Sequence, residues 1–206
     1  MQTTFAPKDK VGRRFALLEA ATSVFAERGF EAATTREIAE RAGCAEGLIH
    51  RYFAGKRGLF LAILEHKGQH AAETYLENVP EKDTVREEIE AILLFELDSK
   101  WEKRDFMRIS VAEASIDPAV GAAVRDGIQA RQVEFIASRL RRHQHGGRIR
   151  PDVDVVSIAY AINGLGFSVG FMNRVAFARS RAETEKIIHQ AAAALARGIS
   201  TEEARR

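Results

Sequence analysis

The chain of 206 residues is poor in most of the residues that announce a chemistry. It has one cysteine, Cys44, which excludes an internal disulfide and fits a reducing cytoplasm. It has four prolines, Pro7, Pro80, Pro118 and Pro151, all between the apolar periodic stretches rather than inside them. Sustained alternation of apolar and polar residues is missing, which argues against strands. There is no Walker loop and no dinucleotide fingerprint, and no G-x-S-x-G nucleophile elbow is expected. The residues therefore supply no nucleophile–base pair, and an enzyme is not expected. Charge of one sign is lacking too. The net charge is +2, so a nucleic-acid partner would need a local basic surface rather than a basic chain. Met1 to Lys10 is polar and has no apolar core, unlike a signal peptide.

One long uncharged run exists, from Val155 to Asn173, with Gly166 and Gly170 spaced as in packed membrane helices. Ser157, Asn163 and Ser168 interrupt it, and nothing else in the chain resembles it. It reads as a buried helix of a core or of a dimer interface, with no membrane.

What the chain does have is helical periodicity. Hydrophobic residues make up 46% of it, enough for a core at this length without metal or disulfide staples. Val11, Phe15, Leu18, Thr22 and Phe25 recur at helical spacing and stop before Gly29. Thr34 with Glu37, Thr84 with Glu87 and Ser180 with Glu183 have the spacing of capping boxes, each ahead of an apolar run. The expectation is an all-α chain of about nine helices, near 9–28, 35–42, 46–52, 56–78, 84–103, 105–115, 118–144, 153–177 and 181–203. Residues 1–67 hold 11 Lys and Arg against 8 Asp and Glu, so the N-terminal part is mildly basic.

The stretch Thr34 to Lys56, TTREIAERAGCAEGLIHRYFAGK, places two short helices on either side of a tight turn at Gly43. That is the layout of a helix-turn-helix, whose second helix enters the major groove of DNA. Ile38, Ala39, Ala42, Ile49 and Phe53 face inward, leaving Arg36, Glu46, His50, Arg51 and Tyr52 outward. Gly47 allows close approach of a neighbour or of DNA. Metal chemistry is not expected: His143 and His145 lack companion ligands, and HQHGG reads as a helix end. Glu87, Glu88 and Glu90 read as a solvated helix face, and Cys44 as a small packed residue.

Residues 10–67, with AATSVFAERGFEAATTREIAERAG followed by GLIHRYFAGKRGLFLAILE, closely resemble the DNA-binding domain of the TetR-type (tetracycline-repressor-like) transcriptional regulators. The resemblance implies an N-terminal three-helix DNA-binding domain over residues 1–55 and a larger helical effector-binding and dimerisation domain over residues 56–206. It implies that Thr35 and Arg36 open the helix that touches backbone and flanking bases. Glu46, Gly47, Leu48, His50, Arg51 and Tyr52 then occupy the recognition helix, and Lys56 grips a phosphate. The chain departs from the family pattern in three places. Ala45 stands where a capping hydroxyl is usual, at a typical cost of about 1 kcal/mol. Glu46 stands where Lys is frequent; a carboxylate repels phosphate but can accept a bond from a cytosine amine. Leu48 stands where a small hydroxyl residue is common.

The same resemblance implies a cytoplasmic, homodimeric regulator, most simply a repressor. It would bind a palindromic operator and be released by a mostly apolar small molecule, with no cofactor. The pocket residues expected are Phe95, Trp101, Phe106, Met107, Glu113, Phe135, Tyr160, Asn163 and Phe167. The dimer contacts expected are Gly164, Gly166, Gly170, Ala191, Ala194 and Leu195, small residues that admit close helix approach. The competing reading is an interaction module that keeps the fold but has lost specific DNA reading.

Overall fold

The computed structural model describes residues 9–205. Residues 1–8, which hold Pro7 and most of the polar N-terminal segment, lie outside the described residues. The chain is all-α: α1 (Lys10–Arg28), α2 (Thr35–Arg41), α3 (Gly47–Phe53), α4 (Lys56–Gln69), α5 (Ala71–Asn78), α6 (Val85–Glu102), α7 (Arg104–Ile116), α8 (Pro118–Ala122), α9 (Ala130–His145), α10 (Val155–Phe167) and α11 (Arg181–Ile199). Two π-helical stretches, Ala123–Gln129 and Ser168–Ala176, continue α8 into α9 and extend α10. The described residues form no strand, only one isolated bridge between Ile149 and Ser200.

Local chemistry explains most of the boundaries. Asp9 caps α1, Thr34 α2, Thr84 α6, Asp117 α8, Asp154 α10 and Ser180 α11, each accepting a backbone N–H of the first turn. Of the three expected capping boxes, the reciprocal bond forms at Ser180 and Glu183. Glu37 instead turns to Arg28, at 3.3 Å, and Glu87 accepts from the Thr84 hydroxyl, at 2.8 Å. Gly29, with φ +79°, ends α1. The run expected as one helix over 56–78 breaks at His70.

The chain divides into two compact units. The first comprises the residues up to Gln69 together with Asp105–Ile128. Its core is Leu17, Leu18, Ala21, Val24 and Phe25 of α1 against Ile38 of α2, Ile49 and Phe53 of α3, and Leu59, Phe60, Ile63 and Leu64 of α4. Phe60 is its hub: its ring meets Phe25 at 5.5 Å, Phe30 at 5.3 Å and Phe106 at 5.8 Å. Val11 and Phe15 do not join this stripe. They are 79% and 51% exposed, because the buried face of α1 runs through Leu17, Ala21 and Val24 instead. Phe15 packs edge-on against His66.

The second unit comprises His70–Arg104 and residues 129–205. Here α6 is the central element, packed by α10 with its π-helical extension, by α11 and by α9. Val155–Ala176 is long and apolar enough to span a membrane, yet it is built into this unit. Its Asn163 amide donates to Gln132. Gly166 and Gly170 let it approach α6: an added Cβ would lie 2.9 Å from Glu96 Cγ and 2.5 Å from the Glu96 carbonyl oxygen, respectively. Glu96 and Lys100, one helical turn apart, form an ion pair buried beneath those glycines. Burial pushes the Glu96 carboxyl up to about 8 and the Lys100 ammonium down to about 7.

Glu88 overturns the expectation of a solvated acidic face. It is fully buried, because α9 packs over the start of α6. Its carboxylate accepts from Arg142 at 2.7 Å and from the Lys82 backbone N–H at 3.1 Å, and lies 3.3 Å from His143 Nε2. Burial opposes the charged form of Glu88, but the bonds from His143 and the Lys82 N–H and the charge of Arg139 outweigh it and hold the carboxyl below its ordinary range. His143 Nδ1 accepts from Arg148 Nε at 2.8 Å.

Candidate nucleic-acid interface

The helix-turn-helix is assembled by contacts that sequence spacing only partly announces. After α2, Gly43 takes φ +62° and the Cys44 N–H returns to the Ala39 carbonyl at 2.9 Å, reversing the chain within a few residues. α3 then starts without a side-chain cap: Ala45 offers only its carbonyl, which accepts from the Leu48 N–H at 3.0 Å. The seven-residue α3 is held from outside itself. Ile49 and Phe53 are buried under it. Arg14 of α1 donates to the Tyr52 carbonyl at 3.3 Å and stacks 4.6 Å over the Phe53 ring. Gly58 of α4 sits so close that an added Cβ would lie 1.7 Å from the Phe53 carbonyl oxygen. Neither Arg14 nor Gly58 carries a motif signal; only the packing reveals them.

The outward face keeps most of its expected members. Arg36, Glu46, Gly47, His50 and Arg51 are exposed, and Thr35 is half-buried. Tyr52 and Leu48 differ: both lean into the core of the first unit, which turns their side chains partly away from the free face. The Thr35 hydroxyl donates to Glu46 Oε1 at 2.5 Å, joining the first residue of α2 to the residue that opens α3. Arg36 pairs with Glu40 at 2.9 Å. An added Cβ at Gly47 would meet nothing within 4 Å, so internal packing does not require glycine there.

Lys56 is placed differently from a free phosphate contact. Its ammonium donates to the carbonyls of Phe30, Glu31 and Ala33 at 2.7, 3.0 and 3.1 Å, and lies 4.7 Å from the Phe30 ring centroid. All three of its donors are committed to the turn that leads into α2. Cys44 is half-buried, its Sγ donates to the Ala42 carbonyl at 3.5 Å, and burial raises its thiol above the ordinary range.

The residues expected to line a pocket are divided between the two units. Phe106, Met107 and Glu113 belong to the first unit, with Phe106 in its core beneath Phe60 and Lys67. Phe95, Trp101, Phe135, Tyr160, Asn163 and Phe167 belong to the second. There Tyr75 joins Phe95 and Phe135, at 4.8 Å from each, while Tyr160 is 51% exposed. Of the small residues expected at a dimer contact, Gly164 and Ala194 are exposed, whereas Ala191 and Leu195 are half-buried. Gly166 and Gly170 are spent inside the unit against α6, which removes them from any outer face. Residues 166–170 read Gly-Phe-Ser-Val-Gly, the spacing of a nucleophile elbow. They lie within a helix instead of on a strand-to-helix turn, so Ser168 lacks the strained exposure of an elbow serine. His143 is enclosed with Glu88, and His145 is exposed. Among the described residues, no group of three or more His, Cys, Asp or Glu could hold a metal.

Comparison with known proteins agrees with this geometry. Residues 17–63 match the pattern of the bacterial regulatory proteins of the tetR family. The transcriptional repressor AcnR of Corynebacterium efficiens is 32% identical over 148 residues, covering 70% of this chain and 73% of AcnR. A TetR-family transcriptional regulator from Mesorhizobium loti superposes with a TM-score of 0.78 at 19% identity, covering 95% of this chain and all of the other. The FadR regulator of Bacillus subtilis, solved with stearoyl-CoA, superposes with a TM-score of 0.72 at 19% identity, covering 90% of this chain and 98% of FadR. With its helix-turn-helix, all-helical fold and relatedness to AcnR, the chain belongs to the tetR family of bacterial regulatory proteins and is a DNA-binding transcriptional regulator.

Proposed function

We propose that the protein is a cytoplasmic one-component repressor that binds a palindromic operator as a homodimer and leaves it when a small molecule binds the effector domain. Residues 1–55 read DNA, and residues 56–206 serve dimerisation and effector binding. The observation that carries the DNA-reading part is Gly47: an exposed glycine on the recognition helix, without internal need for its missing side chain, beside exposed Glu46, His50 and Arg51. That opening fits a duplex brought against α3. Thr35, Arg36 and Tyr52 complete the contact set at its edges.

Dimerisation is supported by an uncharged outer strip on α10, with Val156 39% and Tyr160 51% exposed. The same helix exposes Gly164, whose absent side chain also has no internal reason, and α11 exposes Ile187 and Ala194. A palindromic operator asks of a two-fold pairing of such strips that the recognition helices stand about 34–36 Å apart, one turn of DNA. Effector binding is supported by a groove of about 430 Å³ between α5 and α6, where Ala91, Leu94 and Phe95 lie beside Asp98, Glu102 and Lys103. Its charged and polar lining suits a small molecule with polar groups better than a mostly apolar one. The effector releases DNA only to the extent that it prefers the conformation with mismatched helix spacing.

The test is a selection of purified protein against fragmented genomic DNA, with bound fragments sequenced and re-titrated at two salt concentrations. Enrichment of one palindrome, with affinity falling steeply as salt rises, is expected. A folded dimer that enriches nothing would move the protein to the interaction-module reading.

A further inference from the structure

We infer that Glu46 is a specificity-determining residue that selects a cytosine in each operator half-site, with Thr35 as its positioning residue; this rests on the DNA-reading function proposed above. Glu46 is exposed at the opening of α3, the end of a recognition helix that meets base edges. Its carboxylate is not free to swing. The Thr35 hydroxyl binds Oε1 at 2.5 Å, and Oε2 makes no hydrogen bond among the described residues. The neighbouring Gly47 carries no side chain, so nothing on that side shields the carboxylate from an approaching duplex. The next exposed side chain on the same face, His50, lies a full helical turn further on.

A carboxylate in this position has few partners. It only accepts hydrogen bonds, and phosphates repel it. Of the groups on the floor of the major groove, guanine shows two acceptors and thymine an acceptor and a methyl group. Adenine places its N7 acceptor beside its amine, which a carboxylate meets unfavourably. Cytosine shows an N4 amine with no acceptor next to it on the same base. A carboxylate held in place by Thr35 therefore favours a C·G pair and penalises the other three. Because the bond from Thr35 fixes the side chain before DNA arrives, the discrimination costs little ordering at binding.

The test uses the full-length protein and a pool of random double-stranded oligonucleotides. Wild type is expected to enrich a palindrome with cytosine at one pair of symmetry-related positions, and replacing that pair costs about tenfold in affinity. Glu46→Ala is expected to lose the preference at those positions alone. Glu46→Gln is expected to move it to adenine, which glutamine reads through N6 and N7. Thr35→Val is expected to weaken discrimination at the same positions and to be non-additive with Glu46→Ala. An unchanged motif in Glu46→Ala overturns the inference, as does a uniform rise in affinity for every sequence, which marks a merely repulsive carboxylate. A Thr35→Val variant that weakens all sequences equally assigns Thr35 to phosphate and removes its positioning role. If wild type enriches no motif at all, the DNA-reading function itself fails, a result distinct from either.

Discussion

The two units of the chain bury different kinds of residue. The first is filled by phenyl rings and aliphatic side chains, and Ser110 is its one buried polar residue among those described. The second buries Glu88, Glu96, Lys100, Arg139 and His143 among its aliphatic residues. An apolar core gives shape at little electrostatic cost, which suits a unit that must present α3 rigidly. Buried charges cost several kcal/mol each to desolvate and are sustained by their partners, so they tie stability to a small set of contacts. The reading unit is robust in its interior, and the second unit is conditional.

The contrast can be broken most forcefully at Glu96. Glu96→Ala leaves Lys100 buried beneath Gly166 and Gly170 without its partner, and about 3–5 kcal/mol of stability is expected to be lost below about pH 7, where the ammonium keeps its proton. The double variant Glu96→Leu with Lys100→Leu is expected to recover most of that loss, as measured by urea unfolding. A double variant as unstable as the single one would show that packing, rather than the unpaired charge, sets the cost. In the first unit the most damaging small change is Gly58→Ala. The new methyl must displace the Phe53 carbonyl, so a loss of about 3 kcal/mol and a disturbed α3 are expected. Thermal melting and operator titration read both effects together.

A milder probe of the second unit is pH. The Glu88 carboxyl is held below its ordinary 4.5 in the folded chain, so its contribution is present above that value. It is lost as pH falls from there through the lowered folded value, because the unfolded chain takes up the proton first. Unfolding scans between pH 6 and 3 are expected to show this acid loss in the wild type and a smaller one in Glu88→Gln. The gentlest test is Gly47→Ala. It is expected to raise helix stability by up to about 1 kcal/mol while weakening operator binding. Equal or better binding would dissociate Gly47 from the DNA surface.

The first unit was largely legible in the sequence and the second was not. Thr34, Gly43, Ile49 and Phe53 act over a few residues, and their spacing already specifies a helix-turn-helix. The contacts of Arg14 and of the Lys56 ammonium join elements far apart in sequence, so no local pattern marks those contacts. Phe15 shows the limit of periodicity: a helical spacing names several possible faces, and only the packing of α1 picks one. Glu88 shows it more sharply. Three glutamates near the start of a helix look solvated until α9, some fifty residues later, covers one of them. The aromatic residues expected around a pocket fall in both units, a division that composition does not announce, since it counts rings without saying which unit owns them.

Lys56 carries a consequence for how the protein can vary. Its three acceptors are main-chain oxygens of Phe30, Glu31 and Ala33, which any residue provides. The side chains of that turn can therefore drift with little effect on this clasp, apart from the ring of Phe30 beneath the ammonium. The lysine cannot drift with them. An arginine offers a planar fork in place of a compact ammonium and does not fit three converging carbonyls. The clasp is thus asymmetric under mutation. Lys56 is intolerant while exposed Glu31 is nearly silent, and saturation libraries at those two positions would display that imbalance directly.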